Sequence, residues 1–293
     1  MTQSVTVLNL RGEMLDSDRV ARTIIEPYPH EVVITVNDEM VVHTRNGQLC
    51  CEGYAPDIYV PASDVRHELL SSSNTEIYCP YKTGTAVYYH AVVGGKTIDD
   101  VAWSYSDPLG HPTLSEHYAF NFDKVKIEVD GQQVRGHVRD PHKIITVKTL
   151  EVNLRLEILG KVIVDTDRAL ILEETGLPSR FYIPDSDTKQ GYLVMSERRS
   201  VCTYKGEANY YHLQVEQRLI ENAVWTYVDA WTDFATDVGK IEGYLGFYTS
   251  TFDRVFLDHL EINHAANDLA SDSDMIANPT IDQVLQDKLN SVS

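Results

Sequence analysis

The sequence predicts a mainly β protein made of two tandem copies of one compact domain, with a few short helices. Three observations carry that prediction. Rare residues recur in order at a nearly constant spacing, short β-branched runs alternate with turn residues, and helix signals are few.

The recurrence is the strongest of the three. Cys79-Pro80-Tyr81-Lys82 returns as Cys202-Thr203-Tyr204-Lys205, and Tyr88-Tyr89-His90 as Tyr210-Tyr211-His212. Trp103-Ser104-Tyr105 returns as Trp225-Thr226-Tyr227, and Tyr59-Val60-Pro61 as Tyr182-Ile183-Pro184. Downstream, Phe122-Asp123-Lys124-Val125 returns as Phe252-Asp253-Arg254-Val255. The offset stays at 122 or 123 residues through most of this and widens only near the end. Two copies of about 100 residues each are a domain duplication rather than a solenoid. The expected organisation is an extension over 1–31, a first repeat over 32–138, a second over 139–264, and a tail over 265–293.

Within a copy, residues 32–36 and 40–44 read as a hairpin around Asn37-Asp38-Glu39. Residues 87–93 and 96–98 flank Gly94-Gly95, where glycine supplies the positive φ of a tight primed turn. Residues 125–129 alternate as a strand and stop at Asp130-Gly131. The second copy repeats the pattern over 152–158, 161–165 and 210–215. Asp64 is placed to cap a short helix running to Leu70. A further helix is expected around residues 15–25. In the tail, residues 265–278 read as a polar, acidic linker. Thr280 and Gln283 then form a capping box before the stripe Ile281, Val284, Leu285 and Leu289.

Composition narrows the function classes. The chain has 293 residues, 43% of them hydrophobic, enough for two domains each with its own core. A formal net charge of −19 repels phosphate backbones and anionic lipid, so neither nucleic acid nor a membrane is an expected partner. Four cysteines, Cys50, Cys51, Cys79 and Cys202, show neither zinc-knuckle spacing nor a disulfide framework. With no signal-peptide pattern and no apolar run of membrane-spanning length, the expectation is a cytoplasmic protein with reduced thiols.

No nucleophile elbow, phosphate-binding glycine loop, zincin motif or calcium loop is present, so no cofactor and no metal are expected. His111 and His117, six apart in a proline-containing loop, are a weak metal signal. The candidate site comes instead from the repeated aromatic motifs, in a chain with 17 tyrosines. Alternation along a strand puts Tyr88 with His90 and Trp103 with Tyr105 on shared faces, and likewise Tyr210 with His212 and Trp225 with Tyr227. These side chains either wall a pocket or build a small core. Tyr81-Lys82 and Tyr204-Lys205 precede strands. A partly desolvated lysine there loses affinity for its proton and can serve as an acid, a base or an anion clamp. Glu207 stands near Lys205 in sequence and has no counterpart in the first copy. A functional pair and a solvated surface pair both remain open at this point.

Residues 173–178, Tyr182-Ile183-Pro184, residues 202–208, Trp225-Thr226-Tyr227, Arg168-Ala169-Leu170 and residues 243–248 together resemble the domain of unknown function 427 family. The resemblance covers nearly all of the second copy. The first copy keeps the Cys-Pro-Tyr-Lys and Trp-Ser-Tyr motifs but lacks the Arg and the Gly-Glu-Ala. The resemblance implies a compact coiled-sheet domain, similar in outline to Mss4-like or β-tent-like folds. The zinc-binding cysteine pairs of some such folds are absent, and no paired-carboxylate metal site supports the family's nucleotidyltransferase label.

The expectation is therefore a cofactor-independent enzyme acting on a small, largely apolar organic molecule by isomerisation, elimination or cyclisation, pericyclic closure included. Lys205, Tyr204, Tyr227 and His212 are the candidate catalytic residues. Trp225, Tyr210, Glu207, Arg168, Tyr81, Lys82, Trp103, Tyr105, Tyr88 and His90 are the candidate binding residues. A non-catalytic small-molecule-binding protein and a scaffold mimicking a homodimer are the alternatives. Homo-oligomerisation is compatible with each.

Overall fold

The computed structural model describes residues 23–52 and 55–262. The chain divides into two units, the first ending at Asp140 and the second beginning at Pro141. Each unit contains a seven-stranded and a four-stranded antiparallel sheet.

The first unit contains β1 (Ile24–Tyr28), β2 (Val32–Val36), β3 (Glu39–Thr44), β4 (Gly47–Cys51), β5 (Asp57–Pro61) and β6 (Leu70–Cys79). It continues with β7 (Gly84–Val93), β8 (Lys96–Tyr105), β9 (His117–Phe120), β10 (Lys126–Val129) and β11 (Gln132–Gln133). The second contains β12 (Ile145–Thr149), β13 (Leu154–Ile158), β14 (Lys161–Thr166), β15 (Leu170–Glu174), β16 (Leu177–Ile183) and β17 (Leu193–Cys202). It ends with β18 (Gly206–Val215), β19 (Arg218–Ala230), β20 (Leu245–Phe247), β21 (Arg254–Leu257) and β22 (Leu260–Ile262). The large sheets run β1-β4-β5-β9-β8-β7-β6 and β12-β15-β16-β20-β19-β18-β17. The small sheets run β11-β10-β2-β3 and β22-β21-β13-β14. The two topologies superimpose element for element, so the duplication seen in sequence is a duplication of fold.

Alternation along the strands explains the layers. In β2, Val32, Ile34 and Val36 are buried while Val33 and Thr35 are half-buried. They pack with Leu49, Ile58, Val60, Val101 and Phe120 of the large sheet in one apolar cluster. In the second unit, Leu154, Leu156 and Ile158 share a cluster with Ile171, Phe181, Ile183 and Val224. Adjacent residues point the other way. Tyr59, Trp103, Tyr105 and Cys50 gather on the opposite face of the first large sheet. Leu172, Tyr182, Tyr210, Trp225 and Tyr227 do so in the second. Each large sheet therefore has a mainly aliphatic face and a face rich in tyrosine and tryptophan.

Several expectations change. The helix expected from Asp64 to Leu70 is two separate 3₁₀ turns, Ala62–Asp64 and His67–Leu69. Asp64 caps neither turn, because its carboxylate accepts the hydroxyls of Thr44 and Ser63. Leu70 already opens β6, and pairing with β7 ends any helical run. Ile24 and Ile25, the end of the helix expected around residues 15–25, are strand residues paired with Cys51 and Cys50. The rest of that helix, the acidic linker and the C-terminal helix lie outside the described residues.

His90 and His212 have a structural explanation. Each lies where the register shifts, between Tyr89 and Ala91 and between Tyr211 and Leu213. Opposite them, Asp100 and Asn222 adopt left-handed φ values of 48° and 53°. The amide N–H of Asp100 donates to His90 Nδ1 at 3.1 Å, and that of Asn222 to His212 Nδ1 at 3.0 Å. Ser73 and Ser196, on the third strand, donate to the Asp100 and Asn222 side chains at 2.5 and 2.6 Å. The histidines stitch a three-strand bulge.

Gly246 sets how deeply Trp225 can sink. A Cβ there would lie 2.5 Å from the Trp225 ring. The first copy has Ala119 at the equivalent position, opposite Trp103. Trp103 is half-buried, whereas Trp225 is only 6% exposed. Gly246→Ala is expected to displace the indole and destabilise the protein by about 1–3 kcal/mol. Gly243→Ala, at a φ of 73° but with open space around it, is expected to cost about 1 kcal/mol or less. Urea unfolding of both variants, read by tryptophan fluorescence, checks the order; equal losses would contradict it.

Candidate functional site

The tip of the β17–β18 hairpin folds back over the aromatic face. Lys205 N–H donates to the Cys202 carbonyl at 3.2 Å, and the Lys205 carbonyl accepts the Trp231 N–H at 3.1 Å. Gly206 follows with a φ of 114°, where a Cβ would lie 2.7 Å from the Asp229 carbonyl oxygen. Only glycine lets the chain turn there, and the turn drives Lys205 inward. In the first copy the Lys82 carbonyl accepts the Gly110 N–H at 2.9 Å.

Each buried lysine meets a carboxylate from the end of a strand further across the same sheet. Lys205 Nζ donates to Glu174 Oε2, and Lys82 Nζ to Glu52 Oε1. Glu174 closes β15, and Glu52 follows directly on the equivalent strand β4. The expected partner Glu207 takes no part. It is exposed on β18, paired in register with Val201, facing away from the site. In the second copy Lys143 Nζ also approaches Glu174, at 3.6 Å from Oε1, and lies over the Tyr204 ring.

Aromatic rings enclose the pair. Trp225 Nε1 donates to Tyr182 Oη at 3.1 Å, and Trp103 Nε1 to Tyr59 Oη at 3.2 Å. Tyr248 packs on Trp225 at 4.6 Å between centroids, and Phe234 packs edge-on to Tyr204 at 4.9 Å. Tyr210 Oη shares a hydrogen bond with Ser200 Oγ at 2.8 Å beneath the Arg198 guanidinium. Tyr88 packs against Trp103 at 5.9 Å, and Tyr81 is half-buried.

The electrostatics keep these groups in defined protonation states. Burial works against the charge on Lys205, yet Cys202, Glu174 and Tyr182 overbalance it and hold its pKa above the usual lysine range. Lys82 behaves alike: burial opposes its charge, and Cys50 and Glu52 more than restore it. The expectation that desolvation loosens the lysine proton is thus corrected, because the groups facing each lysine together outweigh the lost water. Burial raises Tyr227 well above its ordinary value and pushes Tyr182 up to about 12, so both stay neutral donors. Burial also pushes the Cys50 thiol up to about 12.

The structure thus brings together Lys205, Tyr204, Tyr227, Trp225 and Tyr210 in the second copy, and Lys82, Trp103, Tyr105 and Tyr88 in the first. It separates three others. His212 and its counterpart His90 are committed to their bulges. Arg168 is exposed and bound to Asp187 and Ser186 at the surface. Glu207 faces outward. Sequence reasoning missed Glu174, Glu52, Tyr182 and Tyr59 as site members, although all four keep the repeat spacing.

The copies differ beside the pair. Register equates Cys50 and Asp57 of the first copy with Leu172 and Arg180 of the second. Asp57 is raised to about 6, chiefly by burial, with Lys82 opposing and Glu52 adding to the rise.

Two β domains, each with a lysine–carboxylate pair enclosed by tyrosine and tryptophan on one sheet face, define the protein's class. The sequence model of the family described as a domain of unknown function (DUF427) matches residues 24–131 and again residues 146–258, and the chain belongs to that family. No curated protein matches the chain. No helix among the described residues is long and apolar enough to cross a membrane.

Asp57 provides a pH test. Its folded value of about 6 lies above the ordinary 3.8. The folded protein therefore binds this proton more tightly, and the resulting stability is lost as pH rises from 3.8 through about 6. Asp57→Asn removes that dependence. Wild type minus variant stability, from urea unfolding at about pH 4 and about pH 7, is expected to fall with pH; a constant difference would contradict the burial of this carboxyl.

Proposed function

We propose that the second copy carries the site of a cofactor-independent enzyme acting on a small, largely apolar organic molecule with a conjugated carbonyl. The reaction class is isomerisation, elimination or cyclisation, in a biosynthetic setting. One observation carries the reading: Lys205 donates to Glu174 at the edge of a buried cluster of Tyr182, Tyr204, Trp225 and Tyr227, an aromatic, water-poor environment whose facing groups hold the lysine protonated. Fixed donors in such surroundings stabilise negative charge that develops on a carbonyl oxygen. The rings of Trp225, Tyr210 and Tyr248 offer flat apolar surfaces that can hold an unsaturated chain in one conformation. Lys205 acts here as an electrophile rather than a base, and Glu174 keeps it charged and aimed. The four free thiols suit a reducing, cytoplasmic setting.

The same burial favours a second reading. Tyr182 and Tyr204 are 1% and 2% exposed, as expected of a purely structural aromatic core.

Turnover of a panel of conjugated enones and polyenones, followed by their ultraviolet absorbance, separates the two. Lys205→Met and Tyr227→Phe are each expected to lower kcat by roughly 10²-fold or more. Glu207→Gln is expected to leave kcat unchanged. His212→Ala is expected to lower stability without a comparable loss in kcat for the folded fraction. Binding without turnover would favour a non-catalytic binding protein. Intact kcat in both Lys205→Met and Tyr227→Phe would overturn the assignment.

A further inference from the structure

The first unit has a concave feature at its surface. Where the ends of β5 and β8 meet the start of β9, an open cleft of about 680 Å³ is lined by Ser104, Ser106, Ser115, Glu116, Tyr118 and their neighbours. That volume falls within the range of small-molecule sites, roughly 300–1,000 Å³. The walls are fixed by backbone contacts: Ala62 N–H donates to the Glu116 carbonyl at 2.8 Å, and Tyr105 bridges to Ser115.

Glu116 is the unusual residue. Its φ is 60°, in the left-handed region. Strand pairing shows what the second copy does at this position. Val60 pairs with Tyr118, and Ile183 with Leu245, so Glu116 is equivalent to Gly243, whose φ is 73°. The fold demands positive φ here, and glycine satisfies it without strain. A side chain at such a position costs up to about 1 kcal/mol. The first copy accepts that cost and sets an exposed carboxylate at the cleft rim.

The cleft floor has diverged in the same direction. Ser104 Oγ and Tyr89 Oη lie 3.2 Å apart, and the Tyr118 hydroxyl is hydrogen-bonded to both. Burial, then the bond with Tyr89, pushes Tyr118 up to about 12, so it stays a neutral phenol. In the second copy Tyr118 is replaced by Leu245 and Ser104 by Thr226, whose buried Oγ1 has no hydrogen-bond partner. The orphaned hydroxyl is what remains when the network loses its third member. Ser106 likewise becomes Val228, which is 61% exposed. The hydroxyl cluster belongs to the first copy's cleft alone.

Hydroxyl groups that both donate and accept, one carboxylate, the His117 imidazole, the rings of Tyr105 and Tyr118, and no lysine or arginine among the lining residues define the ligand chemistry. An anion finds no lysine or arginine there, and the Glu116 carboxylate repels it. A sugar ring finds acceptors for adjacent hydroxyls on Glu116, two-way partners on the serines, and the Tyr118 face for its C–H surface. The geometry points to a binding site for a neutral polyhydroxylated molecule, such as a hexose ring, in the first repeat, separate from the lysine–carboxylate pair of the second.

The test uses the full chain and saturation-transfer NMR with methyl α-glucoside, methyl α-mannoside and methyl β-galactoside, with acetate and phosphate as anionic probes. At least one glycoside is expected to receive saturation, and neither anion is. Glu116→Gly copies the second repeat and relieves the strain, so its melting temperature is expected to equal or exceed that of wild type. Its affinity for the glycoside is expected to fall roughly tenfold or more, as is that of Glu116→Gln, because each loses the charged acceptor. Absence of transfer to all three glycosides, preference for an anion, or unchanged affinity in both Glu116 variants would overturn the proposal.

Discussion

A buried lysine facing a buried carboxylate is the constraint around which each domain is arranged. Lys82 is 1% exposed and Lys205 8%, and an ammonium group at such depth is unsustainable without a fixed counter-charge. Glu52 and Glu174 supply it from the ends of β4 and β15, which three strands separate from β7 and β18 in the sheet order. The hairpin tip must then fold inward, which places a residue at φ 114° and fixes glycine at position 206. The rings of Tyr182 and Trp225 cover the pair and exclude water, which strengthens the attraction that holds it. Replacing such a pair by apolar residues is often neutral or stabilising, so its presence in both copies argues for a purpose beyond stability.

The two copies show how one scaffold holds different chemistry. The aliphatic face between the sheets is equivalent in both, since it supports the fold. The aromatic face and its borders have diverged. Asp57 stands where the second copy has Arg180, Cys50 where it has Leu172, and Glu116 where it has Gly243. Each change alters charge or strain next to a conserved backbone geometry. Ala119 in place of Gly246 lifts the tryptophan, so the first copy is the more open of the two at this face. Duplication thus frees one domain to keep the closed arrangement while the other becomes accessible.

Much of the fold was legible in the sequence, because strand alternation and the recurrence of Trp, Cys and Tyr are local signals. The hairpin over residues 32–44, the Gly94-Gly95 turn and the tandem architecture are all present. The lysine partner was not legible by proximity. Glu207 is two residues from Lys205, but a strand residue two positions beyond a turn points along its own face, and this one points to solvent. Glu174 lies 31 residues away and meets Lys205 only through the sheet. The repeat itself held the clue: Lys205 has a counterpart in Lys82, so its partner needed one too, and Glu207 has none whereas Glu174 has Glu52. The histidines failed for a different reason. Their spacing fits a shared face with the tyrosines, but a bulge, invisible to period-two reasoning, captures the imidazole for the backbone. Asp64 looked like a helix cap because its tertiary partner Thr44 is 20 residues distant.

Lys205 and Glu174 form one interacting unit rather than two neighbours. A double-mutant cycle with Lys205→Met, Glu174→Gln and the combined variant, measured by urea unfolding near neutral pH, tests this most directly. A coupling energy above about 2 kcal/mol is predicted, since Glu174→Gln leaves the buried Lys205 charge uncompensated, Lys205→Met leaves Glu174 only the more distant Lys143, and the double change does not add a second loss of the same size. A coupling below about 0.5 kcal/mol, with additive losses, would contradict it.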